Sequence, residues 1–104
     1  MPKLNLNRVE MPRQDAKQRA GNFDEVALGY SPEEAAEEAS RCIQCPRQPC
    51  IAGCPVSIDI PGFIKALQDE DMPEAVRVLK DKNALPGICG RVCPQESQCE
   101  EVCT

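Results

Sequence analysis

Eight cysteines in two groups constrain this chain more than any other feature of its sequence. The first group occupies thirteen residues in the middle of the chain, at Cys42, Cys45, Cys50 and Cys54. The second group lies near the end of the sequence, at Cys89, Cys93, Cys99 and Cys103. Thiols at this density form disulfides, bind zinc or ligate an iron–sulfur cluster.

The rest of the composition predicts a small and thin hydrophobic core. The chain has 104 residues, enough for one ordinary domain. Hydrophobic residues make up 41% of it, but only Phe23, Tyr30 and Phe63 are aromatic and tryptophan is absent. Because small domains bury a modest share of their surface, we expect metal ligation or disulfides to supply part of the stability.

The net charge and the lack of a targeting signal limit the partners and the cellular compartment that we expect. The formal net charge is −5, which argues against nucleic acid as a partner. No apolar run has the length of a membrane span, and the N-terminal stretch "MPKLNLNRVEMPRQDAKQRAG" lacks the apolar core of a signal peptide. We therefore expect a cytoplasmic protein without membrane contact. Stable disulfides are rare in that reducing compartment, so the thiols are expected to be ligands.

Local signals divide the chain into an N-terminal arm, residues 1–30, and a helical domain, residues 31–104. Asp15 is suited to cap a short helix in the arm. Ser31, Pro32 and Glu34 form the sequence pattern of a capping box, which predicts a helix running to about residue 41. That helix would place Cys42 at its C-terminal end.

Two further helices are predicted between the cysteine groups, as an αα-hairpin. Asp59 precedes "IPGFIKALQ" and Asp71 precedes "MPEAVRVLKDK", both with apolar residues at helical spacing, and Asn83 is a plausible stop. We expect "ALPGICGRVCP" to be irregular and a last short helix to span about 96–103. Since no alternating β-branched run is long enough for a strand, the predicted fold is all-α with two cysteine-bearing loops.

The spacing of the cysteines favours iron–sulfur ligation. Each group contains a Cys-Pro pair, Cys54-Pro55 in the first and Cys93-Pro94 in the second, and the first group is close to the C-x2-C-x2-C-x3-C-P run of bacterial two-cluster ferredoxins, with two added residues. In such runs the fourth cysteine ligates the other cluster. The same exchange here assigns Cys42, Cys45, Cys50 and Cys103 to one [4Fe–4S] cluster. The second cluster would begin with Cys54, Cys93 and Cys99.

Other uses of the thiols fit the sequence less well. Zinc sites prefer two CxxC-like pairs, or cysteine with histidine, whereas this chain has one CxxC and no histidine. A disulfide framework suits a secreted peptide, and a catalytic cysteine would lack a histidine base. A zinc-stapled interaction module is kept as an alternative.

The two cysteine motifs also resemble those of a known family. "RCIQCPRQPCIAGCPVSIDIPGFI" and "ALPGICGRVCPQESQCEEVC" are similar to the N-terminal α-helical ferredoxin domain of a flavoenzyme family, over about residues 22–104. Its members include the small subunit of NADPH-dependent glutamate synthase, the NADH-dependent ferredoxin:NADP oxidoreductase and dihydropyrimidine dehydrogenase. The segment "NRVEMPRQD" is similar to the start of the glutamate synthase-like members.

The resemblance implies two [4Fe–4S] clusters and repeats the ligand sets given by the exchange of cysteines. It places the fourth ligand of the second cluster, a Gln or Glu, beyond the last cysteine, and leaves the cysteine matching Cys89 unligated. The symmetry of the two groups instead nominates Cys89. We follow the resemblance, and expect a partial, substituted or labile second site in a chain ending at Thr104.

The implied function is one-electron transfer between an FAD site and a second redox centre. The glycine-rich FAD and NAD(P)H loops of these enzymes are absent here, so no catalysis is expected from this chain alone. The expected partner is a flavin- and nucleotide-binding domain or subunit of an oxidoreductase. Arg41, Arg47 and Arg91 flank the cysteines and are candidates to stabilise reduced clusters. A free-standing ferredoxin-like carrier is the second alternative.

Overall fold

The computed structural model describes residues 7–104, and the regular elements in that range are all helical. They are α1 (Ala16–Arg19), α2 (Pro32–Ala39), α3 (Pro49–Gly53), α4 (Ile60–Gln68), α5 (Met72–Lys82), α6 (Pro86–Val92) and a 3₁₀ helix (Gln95–Ser97). The predicted all-α fold class is confirmed. Within the described range, no helix is both long and apolar enough to cross a bilayer.

The predicted helix caps are confirmed because each depends on only a few neighbouring residues. Ser31 accepts a hydrogen bond from the Glu34 backbone at 3.2 Å, and the Glu34 side chain accepts one from the Ser31 backbone at 3.0 Å. The side chains of Asp15, Asp59 and Asp71 likewise cap α1, α4 and α5. A cap of this kind contributes about 1 kcal/mol to helix stability.

The core lies where α4 and α5 pack as an antiparallel hairpin, with α2 against α4. The buried apolar side chains are small or medium in size: Ala39, Ile58, Ala66, Ala75 and Val78. No large side chain among residues 7–104 is less than 2% exposed. The radius of gyration, 14.7 Å, exceeds the roughly 13 Å of a compact 100-residue domain. The thin core expected from the composition is therefore present.

The N-terminal arm is extended and turns back on itself around α1. The Gln14 N–H donates to Val26 O at 2.8 Å, and the Leu28 N–H donates to Pro12 O at 2.7 Å. The predicted short helix is confirmed as α1, but this paired return was not predicted. Residues 1–6 of the predicted arm lie outside the described residues, and the boundary at residue 30 stays a prediction.

Two predictions for the C-terminal part are wrong. The segment expected to be irregular contains α6, because Pro86 occupies the first turn, where its missing N–H costs nothing. The helix expected over 96–103 is replaced by the 3₁₀ helix and turns. Gln98, with φ −122° and ψ −107°, ends that helix. In addition, α2 ends at Ala39 rather than near residue 41.

Candidate metal centre

The eight cysteines lie at helix ends and in the adjoining turns. Cys42 and Cys45 follow α2, Cys50 and Cys54 lie in and just after α3, and Cys89 and Cys93 lie in and just after α6. Cys99 and Cys103 lie in the turns after the 3₁₀ helix. All eight are unpaired thiols; Cys103 is exposed and the other seven are half-buried.

The Cys-Pro pairs at Cys54 and Cys93 share one local structure. Cys54 ends α3 with φ −88° and ψ 124°, and Cys93 ends α6 with φ −65° and ψ 131°. Both values are extended because a following proline disfavours the helical conformation of the residue before it. Therefore α3 ends at Cys54 and α6 ends at Cys93, and the backbone is extended at both residues.

The first cysteine loop is attached to α4 by two glutamines. Gln44 donates to the Cys42 sulfur at 3.5 Å and to Pro61 O at 3.2 Å. Gln68 donates to Ala39 O at 2.7 Å and to Cys42 O at 3.2 Å, two carbonyls at and just after the end of α2. Gln44 also has a positive φ of 53°, which non-glycine residues seldom adopt. The α4 helix thereby positions Cys42.

Gly53 brings α3 against the segment that carries the last two cysteines. A Cβ added at Gly53 would lie 2.7 Å from Val102 Cγ2, 2.8 Å from Gln98 O and 3.2 Å from Cys99 Cα. Only a residue without a side chain fits this approach. The contact places the first cysteine group beside the end of the second group, across about fifty residues of sequence.

The electrostatic neighbours of Cys50 come from both groups. Burial raises the pKa of the Cys50 thiol, and negative charge on Cys103 and on Cys42 raises that pKa further. The Cys50 thiol is therefore influenced by charge from both cysteine groups.

A second set of neighbours surrounds Cys93. Burial raises the pKa of Cys93, and the charges of Cys89, Cys54 and Cys99 raise it as well. Burial also raises the pKa of Cys99, with smaller contributions from Glu100 and Cys54. Cys54 thus belongs electrostatically with the second group, although its position in sequence is in the first.

The residues present have the chemistry that an iron–sulfur group requires. The donors are thiols, the ligand type typical of such clusters, and the sequence has no histidine to compete. Arg41 Nε, on the residue before Cys42, is a buried donor without a hydrogen-bond partner in the described structure. A sulfur acceptor would satisfy it. Among residues 7–104, no three His, Cys, Asp or Glu side chains form a ready site for a single metal ion.

The arginines that flank the cysteines differ in their surroundings. Arg41 pairs with Glu38, and Arg91 pairs with Glu25 of the arm at 2.5 Å. Arg47 is exposed. The charges of Arg41 and Arg91 are thus already partly neutralised by carboxylates. Their predicted action on a reduced cluster stays a prediction.

Several residues that shape the site were missed in the sequence. The Gln44 and Gln68 contacts, the Gly53 approach and a hydrogen bond from Asn83 to the Cys89 sulfur at 3.1 Å all depend on tertiary structure. Only Gly53 had a usable signal, as a glycine beside a cysteine within a short helix. Amide side chains carry no pattern of their own in a single sequence.

Comparison with known proteins identifies the family. Residues 19–104 match the family described as dihydropyrimidine dehydrogenase domain II, 4Fe-4S cluster. The small chain of glutamate synthase [NADPH] from Halomonas elongata is 36% identical over 101 residues, covering 97% of this chain and 21% of that protein. The Azospirillum brasilense small chain is 40% identical over 91 residues, covering 88% of this chain and 19% of that protein.

A third relative carries a different name. The NAD-dependent dihydropyrimidine dehydrogenase subunit PreT homolog from Salmonella typhi is 38% identical over 82 residues, covering 79% of this chain and 20% of that protein. The chain spans about a fifth of the length of these curated relatives. The family match covers most of the chain and includes all eight cysteines. The chain belongs to the family of dihydropyrimidine dehydrogenase domain II, the 4Fe-4S cluster domain.

Proposed function

We propose that this chain is an electron-transfer domain that holds two [4Fe–4S] clusters. It would relay electrons between an FAD- and NAD(P)H-binding module and another redox centre. The observation that supports the proposal is the close approach of Gly53 to the segment of Gln98, Cys99 and Val102, together with thiol charges that act across the two groups, that of Cys103 on Cys50 and that of Cys54 on Cys93 and Cys99. Such an exchange between groups is the ligation pattern of two-cluster ferredoxins.

The first proposed cluster is held by Cys42, Cys45, Cys50 and Cys103. The charges of Cys42 and Cys103 both raise the pKa of Cys50, which supports three members of this set. The Gly53 contact supports it independently, because it holds α3 against the Gln98–Val102 segment that leads into Cys103. Cys45 enters the set through its CxxC spacing from Cys42 and through the family resemblance.

The second proposed cluster is held by Cys54, Cys93 and Cys99, with a fourth ligand of the Gln or Glu type. The charges of Cys54 and Cys99 raise the pKa of Cys93, and the charge of Cys54 raises the pKa of Cys99, which supports the set. Because Cys50 and Cys54 lie one helical turn apart in sequence, α3 would contribute one ligand to each cluster. The two clusters would therefore be close neighbours.

The protein groups around the clusters would tune electron transfer. When bound, a [4Fe–4S] cluster accepts and releases one electron at a time. Thiolates offset the positive charge of iron, while hydrogen bonds to sulfur and burial set the reduction potential. The amide of Gln44, which donates to the Cys42 sulfur, is such a donor at the first cluster.

The proposed partner is a flavin- and nucleotide-binding module, as a domain or a subunit. The relatives that match are much longer proteins named as glutamate synthase small chains and dihydropyrimidine dehydrogenase subunits. The parent activity that we propose is that of an NAD(P)H-dependent oxidoreductase of the glutamate synthase small-chain type, acting in the cytoplasm. The acidic chain, with its net charge of −5, is unsuited to nucleic acid.

Analysis of iron and acid-labile sulfide in anaerobically prepared protein tests the cofactor assignment. We expect equal amounts of iron and sulfide, at twice the content of a single [4Fe–4S] cluster. Reduction should then give two one-electron steps. Zinc without sulfide would contradict the proposal, and iron and sulfide for one cluster would contradict the two-cluster form of it.

A further inference from the structure

Cys89 has no role in the proposed ligand sets, yet its surroundings are well defined. It lies in α6, and its carbonyl accepts a hydrogen bond from the Cys93 N–H at 3.0 Å. The two cysteines are thus one helical turn apart, on the same face of the helix. Cys89 therefore lies next to a proposed ligand of the second cluster.

Asn83 holds the Cys89 sulfur from the other side. Asn83 is the C-cap of α5 and the one buried polar residue among those described, at 8% exposure. Its Nδ2 donates to Cys89 Sγ at 3.1 Å, and its Oδ1 accepts from the Leu85 N–H at 2.9 Å. The Leu85 N–H can only donate, so the oxygen of the amide must face it and the NH₂ group must face the sulfur.

The orientation of Asn83 excludes one direction for the Cys89 S–H bond. The lone pairs of Sγ that face Asn83 are used as acceptors, so the S–H bond must point elsewhere. The Cys93 sulfur is the neighbouring acceptor, and as an iron ligand it would be an unprotonated thiolate. A donor aimed at a ligand sulfur stabilises the extra negative charge of a reduced cluster.

We propose that Cys89 is a positioning residue rather than a ligand: held by Asn83, its thiol donates a hydrogen bond to the Cys93 sulfur and raises the reduction potential of the second cluster. This inference rests on the proposed function, because it requires Cys93 to ligate iron. Cys89, the one cysteine left out of both ligand sets, would then act on a cluster without ligating its iron.

Redox titration of the reconstituted full chain, with dithionite as reductant, tests the inference. The Cys89→Ala variant should keep the wild-type content of iron and sulfide. One of its two reduction steps should move to a lower potential, by about tenfold in the equilibrium constant of one-electron reduction, or about 59 mV. Cys89→Ser, which keeps a donor, should lie nearer the wild type. The other step should not move in either variant.

Each of three outcomes would refute a different assumption. Unchanged potentials in Cys89→Ala would refute the hydrogen-bond role of Cys89. Loss of one cluster's iron and sulfide from both Cys89 variants, with the fold retained, would make Cys89 a ligand and refute the inference. Absence of iron and sulfide from the wild-type chain would instead refute the proposed function.

A measurement on the wild-type protein decides the matter even where a variant fails to fold. The inference leaves Cys89 as the one free thiol of the loaded chain. Infrared spectra should therefore contain a single S–H stretching band, lowered in frequency by hydrogen bonding and removed by Cys89→Ser. A loaded chain without an S–H band would contradict the inference.

Discussion

Gly53 has no side chain, and this absence most directly sets the geometry of the site. Its Cα approaches the Gln98–Val102 segment so closely that a methyl group would overlap both a side chain and a backbone oxygen. The backbone oxygen of Gln98 cannot rotate away as a flexible side chain would. The approach of α3 to this segment therefore depends on glycine at this one position.

We predict that Gly53→Ala destabilises the loaded domain. Overpacking of this kind costs about 1–3 kcal/mol, and the displaced segment carries Cys99 and Cys103. The variant should unfold at a lower temperature and release iron faster under a chelator. Gly90→Ala is the matched control, since a Cβ there would meet nothing within 4 Å. Equal stability of the two variants would show that the close contact at Gly53 does not contribute to stability.

Among the features of single residues, the helix caps could be predicted from the sequence and the left-handed backbone conformations could not. The caps at Ser31, Asp59 and Asp71 were predicted correctly, because a cap depends on the few residues that follow it. The left-handed conformations of Gln44 and Gln48 were not predicted, since neither is a glycine. Those conformations follow from closing the cysteine loop between α2 and α4.

At the scale of elements, α3 and α6 are short helices built on the same plan. Each begins with a proline and ends at the cysteine of a Cys-Pro pair. The helix α6 was not predicted because Gly87 and Gly90 are typical of helix breaks. In α6 a Cβ at Gly90 would meet nothing within 4 Å and one at Gly87 would meet only Arg91 Nη1 at 3.6 Å, so these glycines do not mark close packing. The proline at the helix start was the more informative residue.

The arm is a second element that bears on the site, through ion pairs to the C-terminal cysteine segments. Arg8 pairs with Glu100, beside Cys99, at 2.9 Å. Glu25 pairs with Arg91, which lies between Cys89 and Cys93. Both pairs join residues far apart in sequence and are exposed, so salt screens them. The two ion pairs connect the arm to the second cysteine group.

We predict that Glu25→Gln loosens the arm. The loss should appear as faster trypsin cleavage after Arg13 and Arg19, with little change in global unfolding, because exposed pairs contribute little to stability. Glu74→Gln, which breaks an exposed pair within α5, is the control and should leave cleavage unchanged. Unchanged cleavage in Glu25→Gln would show that the pair does not fasten the arm.

The same pair has a defined dependence on pH. The hydrogen bond and charge of Arg91 lower the pKa of Glu25. A carboxyl group with a lowered pKa stabilises the folded state above its unfolded pKa, and that contribution is lost as the pH falls through the folded pKa. Protection of the Gln14 and Leu28 amides from hydrogen exchange, which reports the hydrogen bonds that close the arm, should therefore fall toward acid pH in the wild type, and should fall less in Glu25→Gln.

At the scale of the whole molecule, the small buried core leaves much of the stability to ligation. The buried side chains are mainly alanines with one valine and one isoleucine, and they lie on α2, α4, α5 and just before α4. α3 and α6 contribute no buried residue. The thin core was predicted from composition, because the chain has few bulky residues and many cysteines; the absence of buried residues from α3 and α6 was not.

Removal of iron should accordingly unfold a large part of the chain. We predict a large loss of the helical circular dichroism signal on chelation, since ligation energy in small metal domains is folding energy. The loss should begin in α3 and α6, whose amides should exchange with solvent before those of α4 and α5. An iron-free chain with an unchanged spectrum would contradict this prediction.

The crossed ligand sets are the central claim, and paired cysteine variants test them most directly. Electron paramagnetic resonance of the reduced protein should resolve two cluster signals, and each Cys→Ser variant should disturb one of them. We predict that Cys103→Ser disturbs the same signal as Cys42→Ser, while Cys54→Ser disturbs the same signal as Cys99→Ser. If Cys103→Ser instead disturbed the signal lost in Cys99→Ser, each group of cysteines would hold its own cluster and the account would be wrong.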